Sequence, residues 1–149
     1  MNPETKATVR VRRRFQADAE KVFDAWLSPQ TACEFLFATP TGQMVRTEMD
    51  ARVGGTFLLV DRRDGVDVEH VGEYLEIDRP RRLSFVFCVP HYSPESSRVT
   101  LDFAPLDQGC EVVLLHEGVL PEYKASTEAG WKMILDALEA ALKNRETGC

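Results

Sequence analysis

No run in this sequence approaches the ~18 consecutive apolar residues that cross a bilayer, so no membrane span is expected. Cysteine is scarce and poorly spaced for metal. Cys33, Cys88, Cys110 and Cys149 form no C-x-x-C pair, and none of the three histidines stands at finger spacing, so no zinc site is expected. There is no G-x-S-x-G and no catalytic cysteine–histidine signature, which leaves no recognisable nucleophile–base arrangement. No motif asks for a cofactor. Positive charge is the minority sign, with 18 Lys and Arg against 24 Asp and Glu and a net charge of −6. A nucleic-acid partner, which needs a clustered positive surface, is not expected.

Export signals are missing too. The opening MNPETKATV has neither an apolar core nor a small-residue cleavage pattern, which predicts a cytoplasmic protein with reduced thiols. Cys149 is the last residue and not the fourth from the end, so it is no prenylation signal. No repeat and no Pro-, Gly- or Ser-rich linker interrupts the 149 residues. One domain over 1–149 is expected, long enough to bury about two-thirds of its unfolded surface without a disulfide or metal.

What is present is patterned. Thr8 to Phe15 alternates Val9, Val11 and Arg13 with Arg10, Arg12 and Arg14, as a strand does. Asp18 reads as an N-cap ahead of Val22, Phe23, Trp26 and Leu27 at helical spacing. Ser28-Pro29 ends that helix and opens a second, short one carrying Ala32, Cys33, Phe35 and Leu36. From Met44 to Glu117 the texture is β. Gly54-Gly55, Arg63-Asp64-Gly65, Asp78-Arg79-Pro80 and Asp107-Gln108-Gly109 punctuate the strands as corners or turns. Six strands joined in succession predict an antiparallel meander. Trp131, Ile134, Leu135, Leu138, Ala141 and Leu142 then form one stripe of a final helix, with Lys132, Asp136, Glu139 and Lys143 facing away. The predicted order is β-α-α-β6-α in an α+β fold. The sheet must cover its apolar face, and only the last helix is long enough to do so.

Four stretches of the chain, in this order, resemble the START-like or SRPBCC superfamily, and within it the family related to the activator of heat-shock-protein-90 ATPase. They are VFDAWLSPQTACEFLF at 22–37, MDARVGGTF at 49–57, GEYLEIDRPRRLSF at 72–85 and GWKMILDALEAAL at 130–142. The resemblance implies a helix-grip fold, also known from birch-pollen-allergen-like proteins, with a cavity between a curved sheet and the C-terminal helix. That superfamily holds lipid carriers, hormone receptors, cyclases, aromatases and co-chaperone domains, so the fold alone does not choose among them.

Candidate chemistry follows from residue type and face. Phe35, Phe57, Tyr74, Phe85, Phe87, Leu101, Leu114, His116, Trp131 and Leu135 are the expected lining of a pocket for a small hydrophobic or aromatic molecule. Trp131 needs a partner for its indole N–H, which suits a cavity rim. Gly130 beside it implies close helix–sheet contact or extra room. His116 shares a face with Val112 and Leu114, as a hydrogen-bonded core residue, a ligand-orienting group or a general base. His70 and His91 are expected at a strand edge and in a loop. Either Glu73 or Tyr74 faces inward. With His116, one of them would make the polar set that a cyclase- or aromatase-type enzyme requires. The arginines at 10, 12, 13 and 14 and at 79, 81 and 82 are either a solvated surface or the docking face of a stress-response interaction module. A protein partner or a homodimer is a further expectation.

Overall fold

The computed structural model describes residues 6–37 and 41–143. The expectations about the first residues and Cys149 fall outside them. Seven strands form one antiparallel sheet: β1 (Ala7–Phe15), β2 (Gln43–Met49), β3 (Thr56–Arg63), β4 (Val66–Asp78), β5 (Arg82–Cys88), β6 (Ser97–Leu106) and β7 (Gly109–Val119). The spatial order is β1-β7-β6-β5-β4-β3-β2. The six later strands are thus a pure meander, and β1 closes its far side by pairing with β7 from Ala7↔Val119 to Phe15↔Cys110. Three α-helices complete the described residues: α1 (Ala19–Ala25), α2 (Pro29–Phe35) and α3 (Lys124–Lys143).

Local chemistry explains the boundaries. The Asp18 carboxylate accepts the Lys21 backbone N–H at 2.9 Å, satisfying an otherwise orphaned helix-start donor. Pro29 occupies the first turn of α2, where its missing N–H is no loss. Asp64 and Gly65 both take positive φ, 50° and 78°, as a two-residue hairpin turn with the twist of the flanking strands demands. A single 3-10 turn at Pro121–Tyr123 carries the chain into α3.

The Gly54-Gly55 pair is a corner. Gly54 has φ +85°, and a Cβ on Gly55 would stand 2.1 Å from the Asp50 carbonyl oxygen. The corner is stitched to β4, since Gly54 N–H donates to Tyr74 O and Tyr74 N–H to Gly55 O, both at 2.9 Å.

One face of the sheet is apolar along its length. Val9, Val11, Phe57, Leu59, Tyr74, Leu83, Phe85, Val99, Leu101, Phe103, Val112 and Leu114 are buried on it. The α3 stripe of Trp131, Ile134, Leu135 and Leu138 lies against this face. Arg13, the polar exception on the β1 inner face, reaches across to pair with Asp136 and Glu139 of α3. Five other arginines of the two clusters are also engaged. Arg12 and Arg14 flank Glu111, Arg79 bonds Asp24 at 2.7 Å, Arg81 bonds Asp78 at 2.8 Å, and Arg82 bonds Asp102 at 2.7 Å. Only Arg10 has no such pair among the described residues. Cys88 and Cys110 are free, as expected, whereas Cys33 is disulfide-bonded.

Candidate functional site

The aromatic side chains expected to line a pocket divide into two groups. Phe57, Tyr74 and Phe85 stand side by side on β3, β4 and β5, with ring centroids 5.4 Å apart for Phe57–Tyr74 and for Phe57–Phe85. Phe57 lies over Gly72, where an added Cβ would be 2.2 Å from its ring. Phe37 joins this group from the end of α2 and stacks on His70 at 4.3 Å. It also touches Phe87 at 5.0 Å and Trp131 at 5.9 Å. Phe35 meets Trp26 edge-on at 5.1 Å. Phe35, Leu101, Leu114 and Leu135 are wholly enclosed at 0% exposure. They are packed core and reach no cavity.

The hollow between sheet and helix lies at one end, beyond this core. It has a volume of about 470 Å³ and opens between β5, β6, β7 and the first turn of α3. Of the expected lining residues, Phe87 and His116 face it. Its apolar wall also includes Val89, Val119 and Leu120, while Arg63, Ser93, Ser97 and Thr127 supply polar groups. A second hollow of about 660 Å³ lies on the opposite sheet face, where Glu48, Asp50 and Glu73 stand around Leu58, Val71 and Val86.

His116 is the organising polar residue. The Trp131 indole N–H donates to its Nδ1 at 2.9 Å, and Ser97 Oγ lies 2.7 Å from its Nε2. An indole N–H can only donate, so Nδ1 is an acceptor and the single proton of the neutral ring sits on Nε2. Burial, by penalising the imidazolium, pushes the His116 pKa down to about 4. The ring is therefore neutral at pH 7.

His70 corrects an expectation. It is not on a sheet edge, because β4 runs between β3 and β5, and its side chain is buried. Its Nδ1 lies 3.3 Å from Leu59 O. Burial first, then the Arg63 charge, lower its pKa to about 4. The choice between Glu73 and Tyr74 is also resolved. Tyr74 points inward at 2% exposure, and burial raises its pKa to about 12. Glu73 is exposed on the outer face. A register shift between Tyr74 and Glu76 breaks the strand's alternation at this point. His91 lies in the β5–β6 loop as expected. Among the described residues no group of three His, Cys, Asp or Glu side chains could hold a metal ion, and no helix is long and apolar enough to cross a membrane.

Three residues in or beside the candidate site were not singled out from sequence. Ser97 was legible, since Phe103, Leu101 and Val99 set an inward alternation whose next member is Ser97. Arg63 and Phe37 were not. Arg63 looks like a turn residue, yet its guanidinium bonds Asp61 at 2.7 Å and Tyr92 Oη at 3.2 Å beside the cavity. Phe37 takes φ 61°, a conformation few aromatic residues adopt, and no local signal announces it.

A long helix laid across a curved seven-stranded antiparallel sheet, with short helices at one end, defines a helix-grip domain of the SRPBCC or START-like kind. More narrowly, the chain belongs to the family described as activator of Hsp90 ATPase homolog 1-like protein, whose model matches residues 16–143. Among solved structures it is similar to protein CV1439 from Chromobacterium violaceum, at 26% identity and TM-score 0.84 over 91% of this chain and 96% of that one. It is also similar to protein SA2116 of unknown function from Staphylococcus aureus, at 14% identity and TM-score 0.85 over 95% and 96% of the two chains. The AHSA1-like protein from Aeromonas hydrophila, with 21% identity and TM-score 0.81 over 93% and 94%, shares the fold. No curated protein matches the sequence.

Proposed function

We propose that this protein binds a small, mainly apolar molecule in the cavity beside His116, without transforming it. The observation that carries this reading is the 470 Å³ hollow itself, which falls within the ~300–1,000 Å³ range of small-molecule sites. Its wall is apolar, with a few polar groups among Phe87, Val89, Val119 and Leu120. That mixture suits a ligand held by its hydrophobic body and oriented at one point.

The His116 tautomer favours binding over catalysis. A histidine that activates a serine must present a bare nitrogen to the hydroxyl. Here the Trp131 N–H occupies Nδ1 and leaves the proton on Nε2, against Ser97. Glu73 lies on the wrong face, and Tyr74 does not line the cavity. The arginine clusters are largely occupied by neighbouring carboxylates, which weakens the alternative of a charged docking surface.

A thermal-shift screen of apolar and aromatic compounds tests the proposal. A ligand at a hundred times its Kd should raise Tm by roughly 5–10 °C. Thr127 is half-buried at the cavity wall, so Thr127→Phe should fill the space and abolish the shift with little change in the unliganded Tm. A broad library that moves neither protein would remove the proposal.

A further inference from the structure

The hydrogen bonds around the cavity have a direction, and the direction selects a ligand. Trp131 fixes His116 as the Nε2–H tautomer, so His116 donates and Ser97 Oγ accepts. The Ser97 hydroxyl hydrogen is left to point elsewhere. It has no acceptor among the described residues, and Ser97 lines the cavity half-buried.

The same polarity recurs nearby. Ser93 Oγ accepts the Glu95 backbone N–H at 3.2 Å, which frees its own hydrogen to donate. Arg63 can only donate. Its bonds to Asp61, Tyr92 and the Phe37 carbonyl use three of the guanidinium's five N–H groups. The acceptors among the lining side chains lie at the exposed rim. Glu95 is paired with Lys6, and Ser126 spends its hydrogen on Tyr123 O. Thr127 can turn either way.

We infer that the occupant carries a hydrogen-bond acceptor, a carbonyl-type oxygen, on an otherwise apolar body, and that Ser97 is the residue that reads it. The inference rests on the binding proposal above. An amine would bring donors to groups that already need acceptors, and a plain hydrocarbon would leave the half-buried Ser97 hydrogen unpaired, which is costly. Full negative charge is not required, because Asp61 already stands against the Arg63 guanidinium.

Three β-substituted naphthalenes of nearly equal shape separate the cases: acetylnaphthalene, ethylnaphthalene and aminomethylnaphthalene. Titrated against the full chain and read by tryptophan fluorescence, the acetyl compound should bind about three- to tenfold tighter than the ethyl one. Ser97→Ala should erase that preference, so that the acetyl and ethyl compounds bind the variant alike. Equal binding of acetyl and ethyl compounds, or tightest binding of the amine, overturns the acceptor inference and leaves the binding proposal standing. No binding by any of the three also overturns the inference, and the library screen then decides whether the binding proposal falls with it. The premise is open to a ligand-free check: a proton–nitrogen correlation spectrum should place the His116 proton on Nε2, and a proton on Nδ1 overturns the chain of donors.

Discussion

The two ends of the inner sheet face are built on the same alternation, yet one is solid and the other hollow. At the solid end, α1 and α2 lay Phe23, Trp26 and Phe35 across the strands. Phe23 meets Phe103 at 5.1 Å, and Trp26 meets Trp131 at 6.4 Å. At the hollow end the covering chain is the loop 89–96 and the turn into α3, from which Val89, Tyr92, Ser93, Leu120 and Thr127 border open space. Strand alternation decides which residues face inward. Whether the inside is filled depends on the elements that cover it, and α1 and α2 cover the solid end.

The largest expected effect tests that asymmetry. Trp26→Ala empties a site 1% exposed and should cost about 3–5 kcal/mol in urea unfolding. Leu120→Ala, at the half-buried cavity wall, should cost about 1 kcal/mol or less, because its side chain borders space rather than packed neighbours. Equal losses at the two sites would show that the hollow end is core after all.

Next comes pH. His116 and His70 are neutral in the fold, with pKa values lowered from 6.5 to about 4. The unfolded chain therefore binds more protons than the folded one between these values, and stability falls as pH drops through that window. It is fully present above about pH 6.5 and lost by about pH 4, at roughly 3 kcal/mol for each ring. Protonation at Nδ1 would also set a His116 donor against the Trp131 N–H. Unfolding free energies across this range should show the loss, and His116→Asn should remove about half of it. A profile unchanged in the variant would mean that the ring does not titrate with folding.

The architecture was legible in the sequence for reasons that these residues make plain. Period-two alternation, the Asp18 cap, Ser28-Pro29, Asp64-Gly65 and the Trp131–Leu142 stripe are local signals, and local physics honours them. The family resemblance implied a cavity between the sheet and the C-terminal helix but did not say which residues would border it. Leu101, Leu114 and Leu135 look the same in sequence whether they meet a ligand or one another, so the closed core could not be told from a pocket wall. His70 was misplaced because edge and interior strands carry the same pattern until the sheet order is known. Glu73 was ambiguous because a bulge resets alternation without marking the sequence. Arg63 lines the cavity, and Phe37 packs behind it against Phe87 and Trp131, through contacts between distant segments that no spacing rule encodes.

The smallest effect is the sharpest probe, because one substitution should change sign between the two regions. Gly130 lies in α3 one turn beyond Thr127, and a Cβ built there has nothing within 4 Å. Gly130→Ala should therefore stabilise the protein by roughly 0.5–1 kcal/mol, through helix propensity and a less flexible unfolded chain. Gly72 sits where Phe57 crosses β4, and a Cβ there would be 2.2 Å from the Phe57 ring and 2.4 Å from Val86 O. Gly72→Ala must displace backbone as well as ring and should cost about 1–3 kcal/mol. Urea midpoints of the two variants, set against the parent, read the difference directly. Gains at both positions would mean that the aromatic row on β3, β4 and β5 yields freely, and the contrast between a filled end and an open one would lose its physical basis.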